Sequence, residues 1–366
     1  MTAFGCYILV SFVASLVLGL VAMPLVESFC KSKNLYDVPD RRKVHHGVVP
    51  RLGGVCFVPC MVVSFMLAFA ILGNTEFGVR FAVSLWSCYF AVGLLGIYAA
   101  GVVDDVASLS PRTKFIVQIF AASILPLSGL YINNLYGFCG IYSIPFAVGV
   151  PLTVFVIVFV CNAVNLIDGI DGLASSLSVI AFVGFLYLFW RESMLTYCIL
   201  ISGLLGVLVS FMRYNLFGRV GVNKIFMGDS GSLTLGFILG TLFVKCSMVR
   251  TDAVPQVLGG MPVAYSFLLV PVFDVCRVIL VRFLHYRSLF APDKNHIHHK
   301  LLRAGFDQCR GLLIIVFFAL VFIGINHLLS KCCGFTLVVF SDVLLWVVLQ
   351  QMLNDRIKKN GNKVFL

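Results

Sequence analysis

"PFAVGVPLTVFVIVFVCNAVNLIDGIDGLA", residues 145–174, is uncharged and almost wholly apolar as far as Cys161, then places Asn162, Asn165, Asp168 and Asp171 at every third position. A helix needs roughly 20 mostly apolar residues to cross the hydrocarbon core of a bilayer. The stretch therefore reads as a span, near 145–163, that ends in a polar mouth. Ten further stretches show comparable apolar runs, near 4–27, 53–73, 79–101, 113–131, 173–189, 195–212, 232–249, 261–284, 311–329 and 334–352. The expected fold is an all-α integral membrane protein of about 11 transmembrane helices, one polytopic domain over residues 1–366.

Composition supports this class. With 60% hydrophobic and 12% charged residues and a mean hydropathy of +1.02, the chain has too little polar surface to cover a soluble globule. The first apolar run has no basic leader and no small-residue cleavage site, so it reads as a retained helix. The 13 cysteines lie in apolar segments without metal-ligand or disulfide spacing and read as small core hydrophobes.

If the helices alternate in direction, one set of loops and tails carries 21 of the 27 Lys and Arg residues and the other carries five, with Arg277 inside a helix. Positive charge concentrates on the cytoplasmic side, which places the N-terminus outside and the C-terminus in the cytoplasm. The polar loops near 28–52, 102–113, 164–172, 213–231 and 285–310 then all share that face. The net charge of +11 reflects this topology and attraction to anionic membrane lipids; a second reading has some of the cations holding phosphates. Nucleic acid is not an expected partner, because the basic residues sit in short loops and not along one exposed stripe.

Five clusters on that face could carry chemistry. In "GVVDDVASLSPRTKFIVQ" (101–118), Asp104 and Asp105 are adjacent at a helix end, and their repulsion calls for Lys114 or a hard cation such as Mg²⁺; a solvated helix end is the plainer account. In "NAVNLIDGIDGLA" (162–174), the four polar side chains exceed what helix capping uses, and Gly169 and Gly172 offer a break that would align them. In "YNLFGRVGVNKIFMGDSGSLTLG" (214–236), the GDSGS segment opens a helix whose free N–H groups suit a phosphate, with Asp229 either an N-cap or a metal ligand. "APDKNHIHHKLLRAG" (291–305) supplies His296, His298 and His299, which fit hydrogen bonding to phosphate or sugar oxygens better than zinc, there being no nearby cysteine. "PDRRKVHHGVVPRLGGV" (39–55) offers Lys43, His45, His46 and Arg51, for which phosphate contact and plain topology signal stand equally. Asp274, one turn from Arg277 within a helix, reads either as a functional intramembrane carboxylate or as half of a helix-packing ion pair.

Taken together, "GVVDDVASLSPRTKF", "NAVNLIDGIDGLA", "FMGDSGSL" and "PDKNHIHHKL", in this order and on one face, resemble the polyprenyl-phosphate N-acetylhexosamine-1-phosphate transferase family over about residues 38–305. The His-Ile-His-His spacing is similar to the N-acetylglucosamine branch. The branch that makes the first peptidoglycan lipid intermediate typically shows three consecutive histidines.

The resemblance implies transfer of a sugar 1-phosphate from a UDP-N-acetylhexosamine, most simply UDP-GlcNAc, to undecaprenyl phosphate in a bacterial cytoplasmic membrane, with release of UMP. It implies a Mg²⁺ requirement, with Mn²⁺ able to stand in, and is compatible with a homodimer. Another UDP-N-acetylhexosamine, or the UDP-MurNAc-pentapeptide, is the alternative donor. By resemblance Asp104, Asp105, Asp168 and Asp171 are the catalytic aspartates and Asp229 the metal ligand. Asn165 and Asn215 then face the nucleotide, Lys114 faces phosphate and His296, His298 and His299 form the family's histidine motif; Lys43, His45 and Arg51, from the basic loop and not from the resemblance, are added as candidate substrate-binding residues. One departure is Ser108, where some members carry a third aspartate after the pair. From a different class, an ion-coupled transporter with Asp274 as its coupling site would also bury carboxylates in a bundle, but it would spread ionisable groups through mid-depth on several helices.

Overall fold

A computed structural model describes residues 3–37, 48–73, 75, 78, 84–249, 260–286 and 295–361. Lys43, His45 and His46 lie outside them. In lipid every backbone N–H and C=O must be satisfied within the chain, which favours helices. The described residues form twelve of them. In chain order they are α1 (Ala3–Lys33), α2 (Phe57–Leu72), α3 (Leu85–Ala107), α4 (Pro111–Ser123), α5 (Phe146–Ile167), α6 (Leu173–Arg191), α7 (Leu195–Asn215), α8 (Gly228–Cys246), α9 (Gly260–Leu284), the short α10 (Ile297–Arg303), α11 (Gln308–Leu329) and α12 (Phe335–Lys359). Two small antiparallel ribbons complete the chain: β1 (Tyr36–Asp37) with β2 (Val49–Pro50), and the hairpin β3 (Asn134–Phe138) with β4 (Ile141–Ser143).

The helices are apolar outward and partly polar inward, as a bilayer demands. On α1, Leu9, Val13, Val17, Val21 and Leu25 make an exposed aliphatic stripe at i, i+4 spacing, whereas Ser11 and Ser15 are fully buried. Ser11 Oγ donates to Ile199 O of α7 at 2.9 Å. Small residues let the helices approach, which is how membrane helices associate without a hydrophobic driving force between them. Helix α8 runs through the centre, and all but its first two residues are buried. A Cβ on Gly236 would come within 2.5 Å of Cys161 Cα on α5, and one on Gly101 of α3 within 2.5 Å of Ser230 Cα.

Among the described residues, eight helices are each long and apolar enough to cross a membrane: α1, α2 with the 3₁₀ turn before it, α3, α5, α6, α7, α11 and α12. That is fewer than the eleven expected from sequence. The expected span at 113–131 divides into α4, of 13 residues, and a 3₁₀ turn over Leu125–Ser128, so its helix is about 20 Å long against a hydrocarbon core of about 30 Å. Helices α8 and α9 have the length but carry charge: Asp229 and Lys245 on one, Asp274, Arg277 and Arg282 on the other.

The chain's polar features gather at the two ends of the bundle. At one end meet the C-terminal ends of α3, α5 and α7, the N-terminal ends of α4, α8 and α11, and α10. At the other, the β3–β4 hairpin grips the C-terminal end of α8 and the start of α12. There Asn133 exchanges hydrogen bonds with the Val249 backbone, and Thr336 Oγ1 accepts from Cys139 N at 2.7 Å.

Candidate active site

The first of these ends holds a cleft of about 310 Å³, lined in part by Asp37, Arg51, Asp104, Asp105, Asn165, Asp168, Asp171, Asn215, Asp229, His299 and Gln308. Its size suits a small-molecule site, and six of the lining residues are aspartates.

Helix ends position five of them, and Asp37 lies in β1. Ser110 caps α4, its Oγ accepting from Thr113 N at 3.2 Å, with Pro111 as first helical residue. That start aims Lys114 back across the cleft, where Nζ donates to Asp104 Oδ2 at 2.8 Å and to Asp229 Oδ2 at 2.7 Å. The other oxygen of Asp104 accepts from Leu109 N at 2.7 Å. Asp229 Oδ1 accepts from Asn165 Nδ2 at 3.1 Å, and the same amide reaches Ser232 Oγ at 2.9 Å. Asp104, Asp105 and Asp229 each offer a carboxylate oxygen within 4.8 Å of the others. Three hard oxygen donors this close, two of them already sharing the Lys114 ammonium, form a donor set that suits Mg²⁺.

Asp105 has another task. Its two oxygens accept from Asp229 N at 2.8 Å and Ser230 N at 3.0 Å. The carboxylate thus caps the first turn of α8 from across the bundle, and Asp229 is not itself the cap. The N–H groups of Asp229 and Ser230, which the sequence offered to a phosphate, are taken. Gly228, at φ +73°, makes this seat possible: a Cβ there would lie 2.5 Å from Asp105 Oδ2.

Asn165, Asp168 and Asp171 come to one side of the cleft because α5 stops at Ile167 and α6 restarts after Gly172, at φ +75°. Asp171 pairs with Lys224 at 2.7 Å. Asn215 is committed to the backbone, accepting from Gly172 N at 2.8 Å and donating to Ile225 O at 3.0 Å. It therefore ties the 168–172 turn to the 216–227 loop, although its side of the cleft is where the nucleotide was expected. Asp168 ends α5 and opens onto the cleft with no hydrogen-bond partner among the described residues. The depth of the cleft, then repulsion from Asp229, Asp171 and Asp105, push its carboxyl up to about 7.

The three histidines are divided. His299 lines the cleft, but His296 and His298 are buried behind it. The His298 ring packs on Gly169, where a Cβ would lie 2.1 Å from its Nε2. Burial, and then the neighbouring His299, push His298 down to about 3, so it is neutral at physiological pH and adds no positive charge to the site. Asn162 lies deeper, donating to Gln118 Oε1 at 2.6 Å between α5 and α4; it packs helices.

Sequence reasoning missed Asp37, Lys224 and Gln308. Asp37 and Lys224 sit among conspicuous basic residues that drew attention away from them. The signal for Gln308 was Asp307, whose side chain accepts from Arg310 N and so starts α11 at the cleft.

Comparison with known proteins accords with this geometry. The profile described as glycosyl transferase family 4 matches residues 87–247, which contain both helix-end pairs and the α8 start. A probable undecaprenyl-phosphate N-acetylglucosaminyl 1-phosphate transferase of Bacillus subtilis (strain 168) is 30% identical over 355 residues, covering 94% of this chain and 90% of its own length. The chain belongs to glycosyl transferase family 4. Two further relatives point the same way. A decaprenyl-phosphate N-acetylglucosaminephosphotransferase of Mycolicibacterium smegmatis is 32% identical, over 76% of this chain and 71% of the relative. An undecaprenyl-phosphate alpha-N-acetylglucosaminyl 1-phosphate transferase of Escherichia coli (strain K12) is 27% identical, over 81% and 77%. As a family 4 member the protein is a membrane transferase, and the family resemblance drawn from its four motifs is correct.

Proposed function

We propose that this chain transfers N-acetylglucosamine 1-phosphate from UDP-N-acetylglucosamine to undecaprenyl phosphate at the cytoplasmic face of a bacterial cytoplasmic membrane, releasing UMP. The observation that carries this reading is the Lys114 bridge between Asp104 and Asp229, set in an acid-rich cleft at the end of a membrane bundle. Two anions must meet there, and their repulsion is the main obstacle. Asp229, with Asp104 and Asp105 adjoining, would hold Mg²⁺, which would neutralise charge on the transferring phosphoryl group and the departing UMP. Lys114, which bridges Asp104 and Asp229, would be free to turn to a phosphate once Mg²⁺ compensated the two carboxylates.

An oxygen of the lipid phosphate attacks the β-phosphorus in line; the bond from that phosphorus to the bridging oxygen breaks, and UMP leaves with the electron pair. The second pKa of a phosphate monoester is near 6, so at pH 7 most of the acceptor is already the dianion. A strong base is dispensable. Among the four catalytic aspartates, Asp104 is held by Lys114 and Leu109 N, Asp105 by α8 and Asp171 by Lys224. Asp168 is the one left to take a residual proton or orient the acceptor.

Eleven crossings, with the N-terminus outside, remain the reading of the topology. The supporting facts are that α4 with its 3₁₀ extension leads from the cleft end to the hairpin end, and that α8 and α9 each run between the same two ends. An odd count then puts the chain's ends on opposite sides, and the Lys and Arg bias puts the cleft inside. The transporter reading loses its coupling site, since Asp274 is fully engaged by Arg277, His296 and Ile297 N.

The test is UMP release by detergent-purified protein given UDP-GlcNAc, polyprenyl phosphate and Mg²⁺, with a panel of UDP-N-acetylhexosamines scored by mass spectrometry of the lipid product. Mg²⁺-dependent release with UDP-GlcNAc is expected; no release with any donor would sink the proposal. Exchange of labelled UMP into UDP-sugar without lipid acceptor would instead favour a covalent aspartyl-phosphate route.

A further inference from the structure

Behind the cleft lies a buried network that the reaction as described does not use. Asp274, fully buried on α9, gathers three donors. Oδ1 accepts from Arg277 Nη2 at 2.9 Å and from Ile297 N at 2.9 Å, and Oδ2 lies 2.8 Å from His296 Nδ1. Arg277 also donates to Asn295 O, and Arg303 Nη2 to Asn295 Oδ1 at 3.2 Å. One carboxylate therefore fixes both ends of the residue pair that leads into α10. A carboxylate paired with a guanidinium has no proton to give, so the proton between it and His296 sits on Nδ1.

The consequences run forward into the cleft. The His296 and His298 rings are parallel, 3° apart in plane with centroids at 5.9 Å, and His298 and His299 centroids are 4.2 Å apart. His298 fills the space beside Gly169, between Asp168 and Asp171, and its buried Nδ1 has no hydrogen-bond partner among the described residues. Packing and the segment that Asp274 holds, not a bond at Nδ1, therefore set the place of this ring.

We infer that Asp274 is a positioning residue for the transferase reaction: by fixing the tautomer and orientation of His296 it seats His298 against Gly169 and thereby sets the Asp168–Asp171 turn and His299 at the cleft. Rather than binding metal or substrate, Asp274 acts through the histidine segment, as carboxylates behind ligating or catalytic histidines commonly do. This inference rests on the proposed reaction only for its kinetic consequences.

Two measurements test it. In the wild-type protein labelled with ¹⁵N-histidine, with His296→Asn identifying the signal, His296 is expected to carry its proton on Nδ1; a neutral ring protonated at Nε2 alone would overturn the inference, whether or not the protein turns over UDP-GlcNAc. The second is a double-mutant cycle of Asp274→Asn and His296→Asn. Each single change should lower kcat about 10–100-fold, with the Mg²⁺ requirement and the lipid KM within about twofold of wild type. The double variant should fall no further than about twofold below the weaker single. Multiplicative losses, an unchanged kcat in Asp274→Asn, or a shifted Mg²⁺ requirement would each refute the assignment. A wild-type protein that releases no UMP refutes the proposed function, and leaves the histidine spectrum to decide the placement.

Discussion

At the hairpin end of the bundle, Asn133 closes on the backbone in both directions, donating to Val249 O at 3.1 Å and accepting from Val249 N at 2.8 Å. Tyr136 likewise donates to Cys246 O, and Thr336 to Gly137 O. At the cleft end, Asn165 spends its amide on the side chains of Asp229 and Ser232, and Lys114 and Lys224 spend theirs on aspartates. A backbone partner cannot leave without local unfolding, whereas a charged side-chain partner is exchangeable for a ligand. One end is built to stay closed and the other to trade its bonds.

The strongest way to break this contrast is Asp229→Asn. The amide retains the shape but loses the charge that Lys114 faces and that a divalent cation would need. Activity should fall about 10²–10³-fold, the scale seen when one electrostatic contact to a transition state is removed. Half-saturation with Mg²⁺ should move upward, while thermal stability changes little. Near-normal turnover at low Mg²⁺ would remove Asp229 from the metal site.

Gly169→Ala comes next. Its Cβ would lie 2.1 Å from His298 Nε2, and that ring is itself buried. Overpacking typically costs about 1–3 kcal/mol, but here the strain falls between Asp168 and Asp171, so UMP release should drop about tenfold or more. A variant of wild-type activity and lowered stability would show that the turn tolerates displacement, and that the cleft end is less finely set than its contacts imply.

How much of this contrast was legible in the sequence depends on the range of the contact. The all-α membrane class and the gathering of Asp104, Lys114, Asn165 and Asp229 at one end of the bundle could be read, because apolar runs and motifs are local. The pairing could not. Asp105 caps a helix 124 positions away, and Asn215 looks like a ligand-facing amide until its two backbone partners are seen. It behaves as Asn133 does at the far end. The 113–131 stretch was read as one span on hydropathy; the helix stops at Ser123, shortly before Pro126 enters a 3₁₀ turn. The Asp274–Arg277 pair at i, i+3 was visible as a packing pair, but its hold on His296 joins residues 22 apart through a fold that no local pattern encodes.

A smaller effect distinguishes the two ends by pH. Because the folded-state value of Asp168 is raised to about 7, from about 3.9 in an unfolded chain, the folded protein binds the extra proton more tightly. Its contribution to stability is therefore present below about pH 4 and lost as pH rises towards 7. In chelator-treated protein, thermal stability should decline over that interval, and Asp168→Asn should flatten the decline. Added Mg²⁺ should also offset it by relieving repulsion among the carboxylates. An unchanged slope in Asp168→Asn would assign the decline to another group.

The least effect on chemistry belongs to Asn133→Ala. It leaves the Val249 N–H and C=O without their partner, and the loss of a part-buried pair of this kind costs about 1–3 kcal/mol. Melting in detergent should therefore come earlier, while kcat, both KM values and the Mg²⁺ requirement stay within about twofold of wild type at a temperature where the variant is folded. If a side chain at the hairpin end instead changed kcat without changing stability, the closed end would have to be coupled to the cleft. Among the described residues α8 joins Val249's neighbourhood to Asp229, so the remedy to look for would be a second-site change along the α5–α8 contact at Gly236, where a Cβ would come within 2.5 Å of Cys161 Cα.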